Sequence, residues 1–436
     1  MSATIHSYLE NKTIGLLGFG MEGRSSYAFL RRYFPEKHLL IADRSPLFLE
    51  DGNVTRLDGD DYLTVMSCCD LLIKSPGVSL RGVAIPAGLE VTCQTDLFLR
   101  FAGCVAVGVT GSKGKTTTST LIYEMLRASG IPARLIGNVG VPVLDSFDEA
   151  REAIAVIELS SHQLQFTHAS PHVAVWTNLY EEHLDHYDGG FTGYAAAKAH
   201  ICRSQAPGDI FIYNKDQPPE RFTNLDGCRA RRVPVGLDAG EEDPFLASLD
   251  GVNDHLRGEH NRQNVYFAAT AARMLGATKE GVRDAVARFR GIPHRMEMLG
   301  EYGGIRWVDN SISTIPRAVL CDIDALKEVD TLIFGGKDRG LDYREFAAEL
   351  VRRPVRNLIG MPETGYAILE LLRERGSAQN LLPAETMEEA VAAASVHTKP
   401  GGICLLAPAA ASYNRYRNFE EKGDHFAALA RGCVDQ

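Results

Sequence analysis

The chain has 436 residues, of which 45% are apolar and 23% charged, with a formal net charge of −10. That length is too great for one ordinary domain and suits two or three, in a composition typical of a folded globular protein. The acidic balance argues against non-specific nucleic-acid binding, and the longest apolar runs, such as Cys404 to Ala411, are far too short to span a membrane.

The first residues, MSATIHSYLENK, lack the basic-then-apolar order of a secretory leader. Nine cysteines are scattered without metal-ligand spacing, and an odd count argues against a full disulfide framework. A reducing cytoplasm is the expected home. The one dense basic run, Arg229-Ala-Arg-Arg232, is short and reads as a solvated surface loop.

Short β-branched runs alternate with longer helical patterns, which predicts parallel sheets covered by helices. The stretch TIGLLGFGMEGRSS opens with a strand from Thr13 to Leu17. It then turns through Gly18, Phe19, Gly20, Met21 and Gly23 into an amphipathic helix from Ser25 to Arg32. This is G-x-G-x-x-G in the strand–turn–helix context in which backbone N–H groups meet a phosphate. A second strand ends at Asp43-Arg44, where an acidic residue often meets a ribose hydroxyl. By itself the motif fits a dinucleotide or another nucleotide. A third strand ends in the turn Ser75-Pro76-Gly77.

A second segment starts near Leu97. Strand CVAVGVT enters GVTGSKGKTTTS, with Gly114, Lys115 and Thr116 placed as in a phosphate-binding loop. The common nucleoside-triphosphatase pattern needs a glycine where this chain has Val109, and the available glycine is Gly111. The loop is therefore two residues shorter. Consecutive backbone amides from Gly111 through Ser112, Lys113, Gly114 and Lys115 to Thr116 and Thr117 would form a nest for phosphate oxygens. Lys115 adds a point charge, and the Thr116 hydroxyl is a candidate Mg²⁺ ligand.

The strands IAVIELSS, VAVWTNL and DIFIYN follow. They place Glu158 at one strand end and His183 and Asp185 just beyond the next. A carboxylate and an imidazole facing a phosphate loop are plausible magnesium partners. Lys198 then lies among alanines on a helix, where it is either an exposed lysine or one that reaches the phosphates. A third segment near Met298 carries strands IRWVDNS, TLIFGGKD and GICLLAPA and a helical stretch from Glu388 to Ala394. The expected architecture is three α/β domains, divided at 1–97, 98–297 and 298–436.

TGSKGKT, ELSSHQL, NLYEEHLDHY, AAK, GEHNRQN and HRME, in that order, resemble the Mur ligases, ATP-dependent amide-forming enzymes of peptidoglycan assembly. Within the family, SPGV, IGNVG and the ending LLAPAAASYNRYRNFEEKGDHF are similar to the branch that joins glutamate to UDP-N-acetylmuramoyl-L-alanine. The resemblance implies a Rossmann-like first domain holding the UDP-sugar through Gly18, Phe19, Gly20, Met21, Asp43, Arg44, Ser75, Pro76 and Gly77, with Asn138 nearby. It implies ATP and two Mg²⁺ ions on the central domain, held by Lys115, Thr116, Glu158, His183 and Lys198, the last as a carbamate. Asn261 and Asn264 would read the adenine, and His294, Arg295 and Asn310 would line the ATP site. In a Rossmann-like third domain, Thr314, Lys337, Arg339, Ser412, Tyr413 and Phe419 would hold the incoming glutamate. A monomer acting on small molecules, with no nucleic-acid or membrane partner, is expected.

One motif departs from the pattern. Most D-glutamate-adding members carry Asn-Asp-Ser-Lys-Ala-Thr-Asn after a strand. This chain reads Asp309-Asn310-Ser311-Ile312-Ser313-Thr314-Ile315, with acid and amide exchanged and the lysine replaced. That change resembles the subgroup adding L-glutamate, so L-glutamate is the expected amino acid and D-glutamate the alternative. A folylpolyglutamate-synthase-like enzyme and a catalytically silent nucleotide-binding scaffold are the remaining readings. The N-terminal nucleotide-type segment argues against the first, and joint retention of Lys115, Thr116, Glu158, His183 and Lys198 argues against the second.

Overall fold

The computed structural model of the chain describes residues 4–138, 141–182, 186–338, 341–412 and 415–433. Two compact units divide at Phe289/Arg290. The first, Met1–Phe289, contains two parallel sheets. The second contains one mixed sheet.

The N-terminal sheet comprises β1 (Ile14–Leu17), β2 (Leu39–Asp43), β3 (Val54–Asp58), β4 (Leu71–Lys74) and β5 (Glu90–Thr92), in the order β3-β2-β1-β4-β5. Every pairing is parallel. The chain reverses direction across the sheet at β1, the position at which ligands meet the carboxyl ends of such sheets. β1 is buried throughout, as expected for a strand covered by helices on both faces.

The second sheet comprises β6 (Ala106–Thr110), β7 (Ala133–Gly137), β8 (Ile154–Glu158), β9 (Val173–Trp176), β10 (Ile210–Asn214) and β11 (Arg231–Val235). Its order is β11-β10-β9-β6-β8-β7, again all parallel. β6, which feeds the phosphate loop, lies between β8 and β9, so the polar ends of both neighbours converge on that loop. One continuous apolar core runs through both sheets, from Leu16 and Phe29 to Phe147, Trp176 and Phe211, and a separate cluster around Leu17, Leu40 and Leu72 packs on the N-terminal sheet.

In the second unit, β12 (Glu297–Tyr302), β13 (Ile305–Asp309), β14 (Val329–Phe334), β15 (Asn357–Gly360), β16 (Asn380–Pro383) and β17 (Ile403–Leu406) form the order β12-β13-β17-β14-β15-β16. Only β12 is antiparallel. Position 97 falls inside the helix Gln94–Phe101 and position 298 inside β12.

The α/β architecture read from the sequence is present. The basic run read as a loop is partly wrong, because Arg231 and Arg232 open β11, where both are exposed at the sheet edge. An edge strand needs no continuous apolar run, so the pattern hid it. No helix among the described residues is long and apolar enough to cross a membrane.

Candidate active site

The short loop between β6 and the helix Lys115–Ala128 is clamped by the segment after β9. Ser112 N donates to Asn178 O at 2.9 Å and Lys113 N to Asn178 Oδ1 at 2.8 Å, while Thr177 Oγ1 donates to Lys113 O at 2.7 Å. Gly111 has φ +151°, and a Cβ there would lie 1.9 Å from Thr177 Oγ1. The loop can pass this close only as glycine. The amides of Ser112 and Lys113 are therefore already engaged, which narrows the phosphate nest expected over the whole loop. The amides of Gly114 through Thr117, at the helix start, lack intrahelical acceptors.

Gly114 is left-handed at φ +81°, and a Cβ on it would meet Asn264 Oδ1 at 2.3 Å. Asn264 is buried, and its amide donates to Asn261 Oδ1 at 3.3 Å. The structure thus sets Asn264 against the phosphate loop and joins Asn261 to it through that amide. Thr116 is buried in the first turn of the same helix.

Two lysines converge on one carbonyl. Lys115 Nζ donates to Gly111 O at 3.0 Å and Ser112 O at 2.9 Å, and Lys198 Nζ donates to Gly111 O at 2.8 Å. Lys198 is 1% exposed, so the reading as a surface lysine fails. Burial, reinforced by the Lys115 charge and opposed by Glu182 and Glu158, holds its amine well below the usual lysine range.

Glu158 ends β8 with 1% exposure. Its Oε1 accepts from Asn138 Nδ2 at 2.7 Å, while Oε2 is buried with no hydrogen-bond partner among the described residues. A buried carboxylate oxygen without a donor is costly, and a cation would satisfy it. The donor set of Glu158 and Thr116 thus fits a hard divalent ion. His183 and Asp185 lie outside the described residues.

On the N-terminal sheet, Gly18 has φ +88° and accepts at its carbonyl from Ser75 Oγ at 2.8 Å. A Cβ on Gly23 would lie 2.0 Å from Gly18 O, so the third glycine of the motif allows the helix to pack on the turn. Asp43, expected beside a ribose, has both carboxylate oxygens engaged by backbone. Phe19 N donates to Oδ2 at 2.6 Å and Ser45 N to Oδ1 at 2.8 Å. Phe19 is buried, Gly20, Met21, Arg44 and Gly77 are exposed, and Pro76 is half-buried.

In the second unit His294 is bound to a residue whose role the sequence did not reveal. Its Nδ1 shares a hydrogen bond with Asp309 Oδ2 at 2.8 Å, with Asp309 fully buried. Burial pulls the imidazole pKa down, but the Asp309 bond and the charges of Asp309, Asp424 and Glu297 outweigh it and raise it. Asn310, expected to face ATP, is held internally: Nδ2 donates to Asp322 Oδ2 at 2.6 Å, and Oδ1 accepts from Met296 N at 3.2 Å. Ser412 is buried with no partner for its hydroxyl among the described residues. Phe419 sits edge-on to His294, Thr314 is half-buried, and Arg295 and Lys337 are exposed. Arg339 and Tyr413 lie outside the described residues.

A parallel sheet delivering a phosphate loop, two lysines and an unsatisfied buried carboxylate to one edge defines a phosphate-handling α/β enzyme. The comparisons sharpen this. Residues 109–272 match the Mur ligase middle domain. The chain is 37% identical over 396 residues to the UDP-N-acetylmuramoylalanine–D-glutamate ligase of Symbiobacterium thermophilum, covering 85% of this chain and 86% of that one. It is 34% identical over 444 residues to the enzyme of the same name from Shouchella clausii, covering 96% of each. The fold matches the UDP-N-acetylmuramate–alanine ligase of Thermotoga maritima with a TM-score of 0.53 at 15% identity, over 97% of this chain and 100% of that one. The chain belongs to the Mur ligase family of ATP-dependent, amide-bond-forming ligases. These relatives are named for D-glutamate, so they favour the alternative over the expected L-glutamate.

Proposed function

We propose that the chain joins D-glutamate to UDP-N-acetylmuramoyl-L-alanine in peptidoglycan precursor synthesis, forming ADP and phosphate. The observation that carries the reading is the meeting of Lys115, Lys198 and Glu158 at the end of β6 and β8.

A carboxylate is a poor acyl donor because its leaving group would be oxide. Transfer of the γ-phosphoryl group gives an acyl phosphate, and the glutamate amine displaces phosphate from it through a tetrahedral intermediate. Both reactants are anions, so catalysis rests on positioning and offsetting charge. The amides of Gly114 to Thr117 would cradle the phosphates, and Lys115 would swing from its loop carbonyls to the β/γ oxygens. Thr116 and Glu158 would hold a magnesium ion, which when bound neutralises developing phosphate charge. Asn138 orients Glu158 through the 2.7 Å bond. A second ion would draw on His183 and Lys198. The lowered Lys198 pKa favours the free amine, which adds CO₂ with loss of a proton to give an anionic carbamate. The UDP-sugar would sit at the Gly18 turn and Ser75-Pro76-Gly77, and glutamate among Thr314, Lys337, Arg339, Ser412, Tyr413 and Phe419.

A second reading, L-glutamate, rests on Ile312 standing where a lysine is usual and on Asp309 being committed to His294. Phosphate release with UDP-N-acetylmuramoyl-L-alanine, ATP, Mg²⁺ and each glutamate enantiomer separates the two. A tenfold kcat/KM preference, about 1.4 kcal/mol, decides the hand. No release with either enantiomer defeats the ligase assignment itself.

A further inference from the structure

Lys422 is the fourth residue of the helix Phe419–Arg431 and is 2% exposed. Its Nζ donates to Gly335 O at 2.6 Å, just beyond the end of β14. The next residue, Gly423, sits against the end of β13, where a Cβ on it would lie 2.4 Å from Asp309 Oδ2 and 2.6 Å from Ser311 Oγ. β17 lies between β13 and β14, so the lysine stem spans the carboxyl edge of these three strands. That is the edge at which parallel sheets meet their ligands.

Several polar groups at this edge have unmet capacity. An ammonium carries three N–H donors, and among the described residues only Gly335 O accepts from this one. The buried hydroxyls of Ser311 and Ser412 have no partner among the described residues either. Ser412 follows Ala411, whose carbonyl accepts from Lys337 N at 2.7 Å, two residues past Gly335. Buried polar groups left unpaired are costly, and an oxygen-rich anion entering here would complete them.

We propose that Lys422 is the buried cation that binds a carboxylate of the incoming glutamate, an assignment that rests on the ligase reading above. Ile312, half-buried beside Ser311, offers no charge, and Lys337 is exposed, so Lys422 is the cation held inside the edge. Burial holds its amine down to about 7, against the opposing charge of Asp309. A carboxylate bonded to the amine favours the ammonium, so above that pH glutamate binding takes up a proton. His294, bonded to Asp309, is the other titratable group facing this edge. The remaining charges on the elements packed against the helix turn elsewhere. Glu388 pairs with His425 and Arg306 with Glu328, Glu297 accepts from His294 N, Glu389 accepts from Glu385 N, and Glu301 is exposed.

The test is phosphate release from ATP, Mg²⁺ and UDP-N-acetylmuramoyl-L-alanine, with the preferred glutamate enantiomer varied. Lys422→Met should raise the glutamate KM at least about tenfold and leave the KM values of ATP and the sugar nucleotide within about twofold. In the unsubstituted chain the glutamate KM should climb between about pH 7 and about pH 9 as the ammonium is lost, glutamate itself keeping both carboxylates ionised. Lys422→Arg, charged throughout that range, should flatten the climb. Glutamine as the acceptor tells which carboxylate is held. Loss of the preference for glutamate over glutamine in Lys422→Met assigns the side-chain carboxylate, and its survival beside the raised KM assigns the α-carboxylate. An unchanged glutamate KM in Lys422→Met, an equal rise in all three KM values, or a pH climb that survives in Lys422→Arg overturns the proposal. A flat profile in the unsubstituted chain overturns it even where neither variant folds. No release with either enantiomer in the unsubstituted chain defeats the ligase reading and this inference with it.

Discussion

Lys198 shows how burial and a neighbouring charge set chemistry at one residue. With no water to solvate it and Lys115 on the same carbonyl, an ammonium there is disfavoured. Lys198→Ala should therefore cut kcat by roughly a hundredfold or more, the scale of losing one charge-stabilising group. Short carboxylic acids should restore part of the rate by standing in for the carbamate. Full activity in Lys198→Arg would defeat the carbamate, since a guanidinium cannot form one.

Asp309 supports a second residue-scale prediction. His294 has a raised folded pKa, so its contribution is fully present below the unfolded imidazole value near 6.5 and fades as pH rises through the folded value. Asp309→Asn should destabilise the chain at pH 6 by roughly 1–3 kcal/mol, the cost of losing a hydrogen bond to a charged group. The cost should shrink by pH 9. Urea unfolding at both pH values checks this, and an equal or larger cost at pH 9 would mean the pair is not ionic.

At the scale of elements, a glycine inside a helix usually signals instability. Alanine in its place is worth roughly 1 kcal/mol of helix propensity. Gly423, inside the helix Phe419–Arg431, should behave in the opposite way. A Cβ there would lie 2.2 Å from His294 Nδ1, 2.4 Å from Asp309 Oδ2 and 2.6 Å from Ser311 Oγ. Gly423→Ala should lower the unfolding midpoint and disturb the His294 resonances, whereas a raised midpoint would show that the helix can withdraw. The same contrast explains what the sequence disclosed. β1, β6 and β9 are buried along their whole length and almost wholly apolar, so their runs announced them, whereas β14 is buried throughout but carries Asp330 and Thr331. β3 and β11 are edge strands with exposed positions, and their polar sequence reads as loop. Glu158 and the phosphate loop were legible because strand ends in parallel sheets converge. The Asn178 clamp and the Asp309–His294 pair were not, because each joins residues whose approach is decided only by tertiary packing.

At the scale of the whole molecule, the arrangement of cores makes a thermal prediction. The core of Met1–Phe289 is continuous across both its sheets, so no strand set within it can unfold without exposing the other's apolar face. The unit Arg290–Gln436 has its own two apolar clusters, on the two faces of its sheet. Calorimetry should show two transitions with enthalpies near roughly two to one, following residue number. ATP with Mg²⁺ at about 100 times its Kd stabilises the state that binds it by about 2.7 kcal/mol, which moves a transition of this size by about 4 °C. The larger transition should move, because Lys115, Thr116 and Glu158 all belong to the first unit. UDP-N-acetylmuramoyl-L-alanine should move the same transition through the Gly18 turn. Lys115→Ala should abolish the ATP shift and leave the sugar-nucleotide shift intact, since the two loops sit on different sheets of one core. Loss of both shifts in that variant would mean that the nucleotide and the sugar share one site, and the assignment of the N-terminal sheet to the UDP-sugar would fall.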